Sequence, residues 1–269
     1  MAKIGLVAQN FEIFDGDGLD KFARTGEVSA NQILRAGSQG VILGHSEVGD
    51  SPETINKKLK SLVKENLPLA KLVILIGESW DEFESNKPSD VALLMKHKCE
   101  IIFNGIPEEL LEELIVGYEP KWGSRRSGRD DMPPPQPEVI SACISEMRKF
   151  FVSHYGTKVK PYFIYGGRST PERTGQILAD KNIDGLILGS ACNSVKKTMD
   201  IARTMIDACG ARSKVLICNF KAYELPDSYE DYADELGKLP DKFVILLSPP
   251  YTDIQIVRKM LEEKGLLLE

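Results

Sequence analysis

The chain has 269 residues, 42% of them hydrophobic, enough to bury a substantial core in one large α/β domain or two small ones and too much for extensive disorder. A net charge of -6, from 34 basic and 40 acidic side chains, gives no overall attraction to nucleic acid or anionic membrane, so a small anion needs a local basic site. The five cysteines, at 99, 143, 192, 209 and 218, form no CxxC pair and fit a reducing compartment, and three histidines, at 45, 97 and 154, make a structural zinc site an unexpected feature.

No signal peptide opens the chain and no apolar run of about 18 residues interrupts it, so a soluble cytoplasmic protein is expected. The first strand, 3–10, is nearly continuous in apolar residues, as for a strand covered on both faces. A Gly- and Asp-rich loop, 11–25, exceeds the usual connection length and suggests binding or assembly. Ser29 then caps a short helix. The second strand, 40–44, ends in His45-Ser46-Glu47. The next helix follows Ser51, with Pro52 at its first position and Glu53 in its first turn; Thr54 at the third position precludes a reciprocal capping box. It runs to about residue 66.

The third strand is 71–77. A helix at about 88–97 precedes the apolar pair Ile101-Ile102, and a short helix at 107–113 feeds the fourth strand. That strand, Ile115-Val116-Gly117-Tyr118, delivers the carboxylate of Glu119 at its end, and Pro120 stops further pairing. The polar segment 123–137 is long enough to serve as a lid. Val139, Ile140, Cys143, Met147, Phe150 and Phe151 give 136–155 helical spacing. Strands at 161–167, 184–189, 214–219 and 243–247 alternate with helices at 171–178, 195–208, 229–236 and about 253–264.

Eight βα units favour a closed (β/α)8 barrel formed as a single domain over 1–269. An open doubly wound sheet is the runner-up, but Gly16 and Gly18 lack the strand-turn-helix context of a phosphate-binding GxGxxG. In a barrel, His45, Glu119, Gly166-Gly167, Gly189-Ser190 and Asn219-Phe220-Lys221 ring one mouth. A carboxylate, an imidazole, an ammonium and glycine-rich turns together suit proton abstraction beside the carbonyl of a small phosphorylated substrate. Each has a blander reading: a strand-end glutamate in a solvated turn, a hydrogen-bonding structural histidine, a solvated lysine, simple turns. His97 and His154 read as surface or boundary residues, and Cys218 as packing.

The motifs Val7-Ala8-Gln9-Asn10, Thr25-Gly26-Glu27, Leu43-Gly44-His45-Ser46-Glu47, Ile76-Gly77-Glu78, Tyr118-Glu119-Pro120-Lys121-Trp122, Tyr165-Gly166-Gly167 and Leu188-Gly189 resemble those of triosephosphate isomerases. Asn219-Phe220-Lys221 looks like the family's Asn-Trp-Lys, and Ser248-Pro249-Pro250 like the end of its second strand. The units that open a family member stand last here, so a circularly permuted TIM barrel is expected, with 208–213 joining the usual termini.

The resemblance implies interconversion of dihydroxyacetone phosphate and D-glyceraldehyde 3-phosphate without cofactor or metal. It implies Glu119 as the proton shuttle, His45 as neutral electrophile, Lys221 and Asn219 as electrostatic and positioning groups, and Glu47 in support; this family is itself the standing example of that pairing and of a closing loop. Gly123, Gly166, Gly167, Arg168, Gly189 and Ser190 would surround the phosphate. Departures cluster there. Trp122 is followed by Gly-Ser-Arg-Arg-Ser-Gly-Arg129 in place of Ala-Ile-Gly-Thr-Gly, Arg168 takes a serine's place, Ser190 a glycine's, and Val48-Gly49 that of paired arginines. Arg168 either pairs with the phosphate or crowds it. A homodimer through the 11–27 loop is implied as well. The alternatives are an isomerase of another small phosphorylated sugar and an inactive phosphate-ligand-binding barrel or scaffold.

Overall fold

The computed structural model describes residues 2–14, 25–123, 132–210, 212 and 214–268. Eight parallel strands close into a barrel: β1 (Ile4–Ala8), β2 (Gly40–Leu43), β3 (Lys71–Ile76), β4 (Leu114–Tyr118), β5 (Tyr162–Gly166), β6 (Gly185–Leu188), β7 (Lys214–Asn219) and β8 (Phe243–Ser248). Each pairs with the next in chain order, and β1 returns to β8 with Ile4, Gly5 and Leu6 opposite Ile245, Leu246 and Leu247. This overturns the expected circular permutation. The barrel order is the chain order from β1 to β8 and no strand is displaced from its sequence neighbours; of the 208–213 segment, residues 211 and 213 lie outside the described residues.

Helices cover the outside: α1 (Ala30–Arg35), α2 (Pro52–Glu65), α3 (Trp80–Glu84), α4 (Pro88–Ile102), α5 (Pro137–Tyr155), α6 (Pro171–Leu178), α7 (Val195–Cys209), α8 (Tyr229–Gly237) and α9 (Ile254–Glu263). Strand side chains alternate between two cores. Val7, Ile42, Val73, Leu75, Ile115, Ile164, Ile187, Val215, Ile217 and Leu246 fill the barrel, whereas Leu72, Ile74 and Ile76 meet the helices. Beneath the barrel, Leu266 O accepts from Ile4 N at 2.8 Å and Leu268 N donates to Ile4 O at 2.9 Å, so the C-terminal segment seals the first strand.

Most expected elements are present, with two differences. A helix α3 stands where none is expected, held by a capping box between Ser79 and Glu82. Helix α4 continues to Ile102 and absorbs the Ile101-Ile102 pair, burying Cys99 and Ile102, while Lys98 on the same stretch donates to Gly77 O and Glu82 Oε2, each at 2.9 Å. Ser51 caps α2 through Thr54 N with Pro52 in the first turn, and Asn66 ends it in the left-handed region.

Inside this shell Lys58 of α2 is only 1% exposed. Its ammonium donates to Asn10 Oδ1 at 3.0 Å, Asp50 Oδ2 at 2.8 Å and Glu12 Oε1 at 3.3 Å. A buried lysine is tolerated only when its charge is answered in this way. The node fastens the start of the loop after β1 to the segment after β2, which lacks the paired arginines expected from the resemblance.

Candidate active site

The C-terminal ends of the strands converge on a pocket of about 480 Å³, open solvent at its mouth included. His45, Glu47, Glu119, Gly167, Arg168, Gly189, Ser190, Asn219 and Lys221 line it, together with Ile187 and Tyr223. Residues far apart in sequence thus meet because every parallel strand ends at the same face. Two expected members stand elsewhere. Gly166 lies behind Glu119, where a Cβ would sit 3.2 Å from Glu119 Cγ, and Gly123 is buried against Pro120. The segment 124–131 of the expected lid lies outside the described residues.

Glu119 is 7% exposed. Its backbone N–H donates to Ile76 O at 2.8 Å, continuing the β3–β4 ladder by one residue and fixing where the side chain leaves the sheet. Oε2 accepts the Ser46 N–H at 3.0 Å, and Oε1 lies 3.5 Å from His45 Nε2. His45 Nδ1 accepts the Glu47 N–H at 3.1 Å. A backbone N–H can only donate, so Nδ1 carries no proton, the imidazole is neutral and its proton resides on Nε2, the nitrogen facing the carboxylate. The consequence is a proton acceptor and a neutral proton donor side by side.

Across the pocket Lys221 Nζ pairs with Glu47 Oε1 at 2.7 Å. Lys221 holds φ at 52°, a conformation side-chain-bearing residues rarely adopt. Hydrogen bonds hold it there: its N–H donates to Asn219 Oδ1 at 3.0 Å, and Gln9 Nε2 donates to Lys221 O at 2.8 Å and to Ser248 O at 3.1 Å. The strand-end reading of the sequence does not single out Gln9. It sits at the C-terminal end of β1, the same criterion that selects His45 and Glu119, and that position was the available signal.

Behind Glu119 lies a second carboxylate, Glu78, fully buried. Its Oε1 accepts from Tyr118 Oη at 2.9 Å and from Trp122 Nε1 at 2.8 Å. Burial raises its affinity for a proton above that of an ordinary glutamate, against the opposing effect of these two hydrogen bonds. Burial also pushes the Tyr165 hydroxyl up to about 12. Tyr165 forces glycine at 167, since a Cβ there would fall 2.2 Å from Tyr165 Oη.

His97 is exposed and pairs with Glu100 at 3.2 Å, His154 stacks on Phe150 with ring centroids 5.3 Å apart, and Cys218 is buried in β7. Among the described residues no group of three or more His, Cys, Asp or Glu is arranged to hold a metal ion, and no helix is long and apolar enough to cross a membrane.

A family model described as triosephosphate isomerase matches residues 1–205. The triosephosphate isomerase of Alkaliphilus oremlandii (strain OhILAs) is 32% identical over 204 residues, covering 73% of this chain and 75% of the relative. That of Treponema denticola is 34% identical over 193 residues, 68% of this chain and 71% of the relative. That of Mycoplasmoides gallisepticum is 34% identical over 173 residues, 63% of this chain and 65% of the relative.

Proposed function

The chain belongs to the triosephosphate isomerase family and interconverts dihydroxyacetone phosphate and D-glyceraldehyde 3-phosphate; from that premise we propose how its own residues perform the reaction. Glu119 removes the proton from the carbon beside the carbonyl and returns it to the neighbouring carbon. His45 Nε2–H gives its proton to the carbonyl oxygen as negative charge develops there and takes one back from the neighbouring hydroxyl, so that carbonyl and hydroxyl exchange places, and Lys221, held by Glu47 and Asn219, stabilises the enediolate between the two steps. The observation that carries this reading is the geometry of His45, its Nδ1 accepting from Glu47 N–H and its Nε2 3.5 Å from Glu119.

Gly167, Arg168, Gly189 and Ser190 hold the phosphate in this proposal, with Gly166 spacing Glu119 and Gly123 starting the loop after β4. Residues 1–269 act as one barrel domain, with four described cysteines as free thiols in keeping with a cytoplasmic location. A homodimer through the 11–27 loop is part of the proposal; the base of that loop is fixed to the barrel, with Phe11 1% exposed and Glu12 N donating to Val28 O at 2.8 Å. Its middle, 15–24, lies outside the described residues. Solution mass tests the assembly; a monomer at working concentration excludes it. Glu119→Gln tests the base: turnover should fall by about two to four orders of magnitude with the thermal midpoint preserved. Undiminished turnover would assign the base to another residue.

A further inference from the structure

Residues 132–135 return the chain from the loop after β4 to α5, and three of them, Pro133, Pro134 and Pro135, are prolines. Such a run is stiff, and without N–H groups it cannot anchor itself through its own donors. Its carbonyls remain available, and two arginines from the neighbouring unit take them. Arg168, directly after the β5 turn, donates from Nη2 to Met132 O at 2.5 Å. Arg173 donates from Nη2 to Pro135 O at 2.9 Å and from Nε to Arg168 O at 3.3 Å. Arg173 is itself fixed, because its backbone N–H is the one capped by Thr170 at the start of α6. The contacts form a triangle: Arg173 ties the proline run to the backbone of Arg168, and Arg168 ties the run's other end to its own guanidinium. Arg168 also lines the substrate pocket, whereas Arg173 does not.

We propose that the proline run and Arg173 form a brace that sets the position of Arg168 at the phosphate end of the pocket, making Arg173 a positioning residue for phosphate recognition. The proposal rests on the reading of this pocket as the substrate's. A serine at position 168 reaches one neighbour with one hydroxyl. The arginine here reaches across to another segment and needs a strut to hold it.

The test compares full-length Arg173→Met and Arg173→Lys with the unaltered protein, measuring kcat and KM for D-glyceraldehyde 3-phosphate and the inhibition constant of inorganic phosphate. Loss of one or two such hydrogen bonds predicts that Arg173→Met raises KM and the phosphate inhibition constant together by about fivefold to tenfold. The kcat should fall far less. Arg173→Lys, which can reach one carbonyl but cannot bridge two, should recover only part of the loss. A role in folding alone would lower the thermal midpoint and leave both constants in place. A folded Arg173→Met with both constants within twofold of the unaltered protein overturns the brace. Failure of phosphate to compete in the unaltered protein overturns the pocket reading instead, so the two failures are distinguishable.

Discussion

Replacing Lys58 by methionine removes an ammonium while keeping an unbranched stem of similar reach. Two of its three partners are inside the protein: the Asp50 side chain is 11% exposed, and Asn10 is half-buried. The third, Glu12, is 39% exposed and contributes at most about 1 kcal/mol. Removing one member of a buried pair strands the other charge, which costs roughly 3–5 kcal/mol. Urea unfolding of Lys58→Met, followed by circular dichroism and tryptophan fluorescence, should therefore show a loss of about that size with an unchanged dependence on urea. Asp50→Asn in the same chain should return about 1–3 kcal/mol, because the stranded carboxylate is gone. A loss below about 1 kcal/mol, or strict additivity of the two substitutions, would refute the claim that this node is a coupled buried ion pair.

Gly166→Ala places a Cβ 2.8 Å from Ile187 Cγ2 and 3.2 Å from Glu119 Cγ. Glu119 must give way by a few tenths of an ångström, and since a misplacement of about 1 Å costs about a hundredfold, kcat should fall by several-fold; a normal kcat in steady-state assays would show that Gly166 does not set the position of Glu119. Glu78 has a folded-state proton affinity raised by burial, so its contribution to stability is complete below the ordinary glutamate value, roughly pH 4.3, and is lost as pH climbs through the raised folded value. Glu78→Gln does not titrate, so the stability of the unaltered protein relative to this variant should decline as pH rises above about 4 in urea titrations. A difference that stays constant with pH would contradict it.

The barrel was legible because its strands are short, apolar and regularly spaced, and because their ends carry the polar residues that a shared mouth requires. Position at the strand ends singles out Glu119, His45 and Lys221, and the three line one pocket. The circular permutation expected from comparing motif order with the family does not stand, because the barrel order is the chain order, with β1 pairing β2 and β8. Helix α3 was missed because five residues are too short for a periodic pattern, although Ser79 and Glu82 offered a capping box. The reach of Arg168 and Arg173 to backbone carbonyls, and of Gln9 to Lys221 O, depends on side-chain direction between segments more than 30 residues apart. No local pattern encodes such contacts.

Lys221 sits at φ 52° and carries the ammonium on the pocket wall. A glycine there would relieve a backbone cost on the order of 1–2 kcal/mol, and asparagine would reduce it. Neither could supply the charge. Under the proposed mechanism, backbone comfort and turnover ask for different amino acids at a single codon. In a lineage released from selection on catalysis, drift from lysine to glycine or asparagine would relieve that backbone cost, so persistence of lysine in descendants of this chain would serve as a record of continued use.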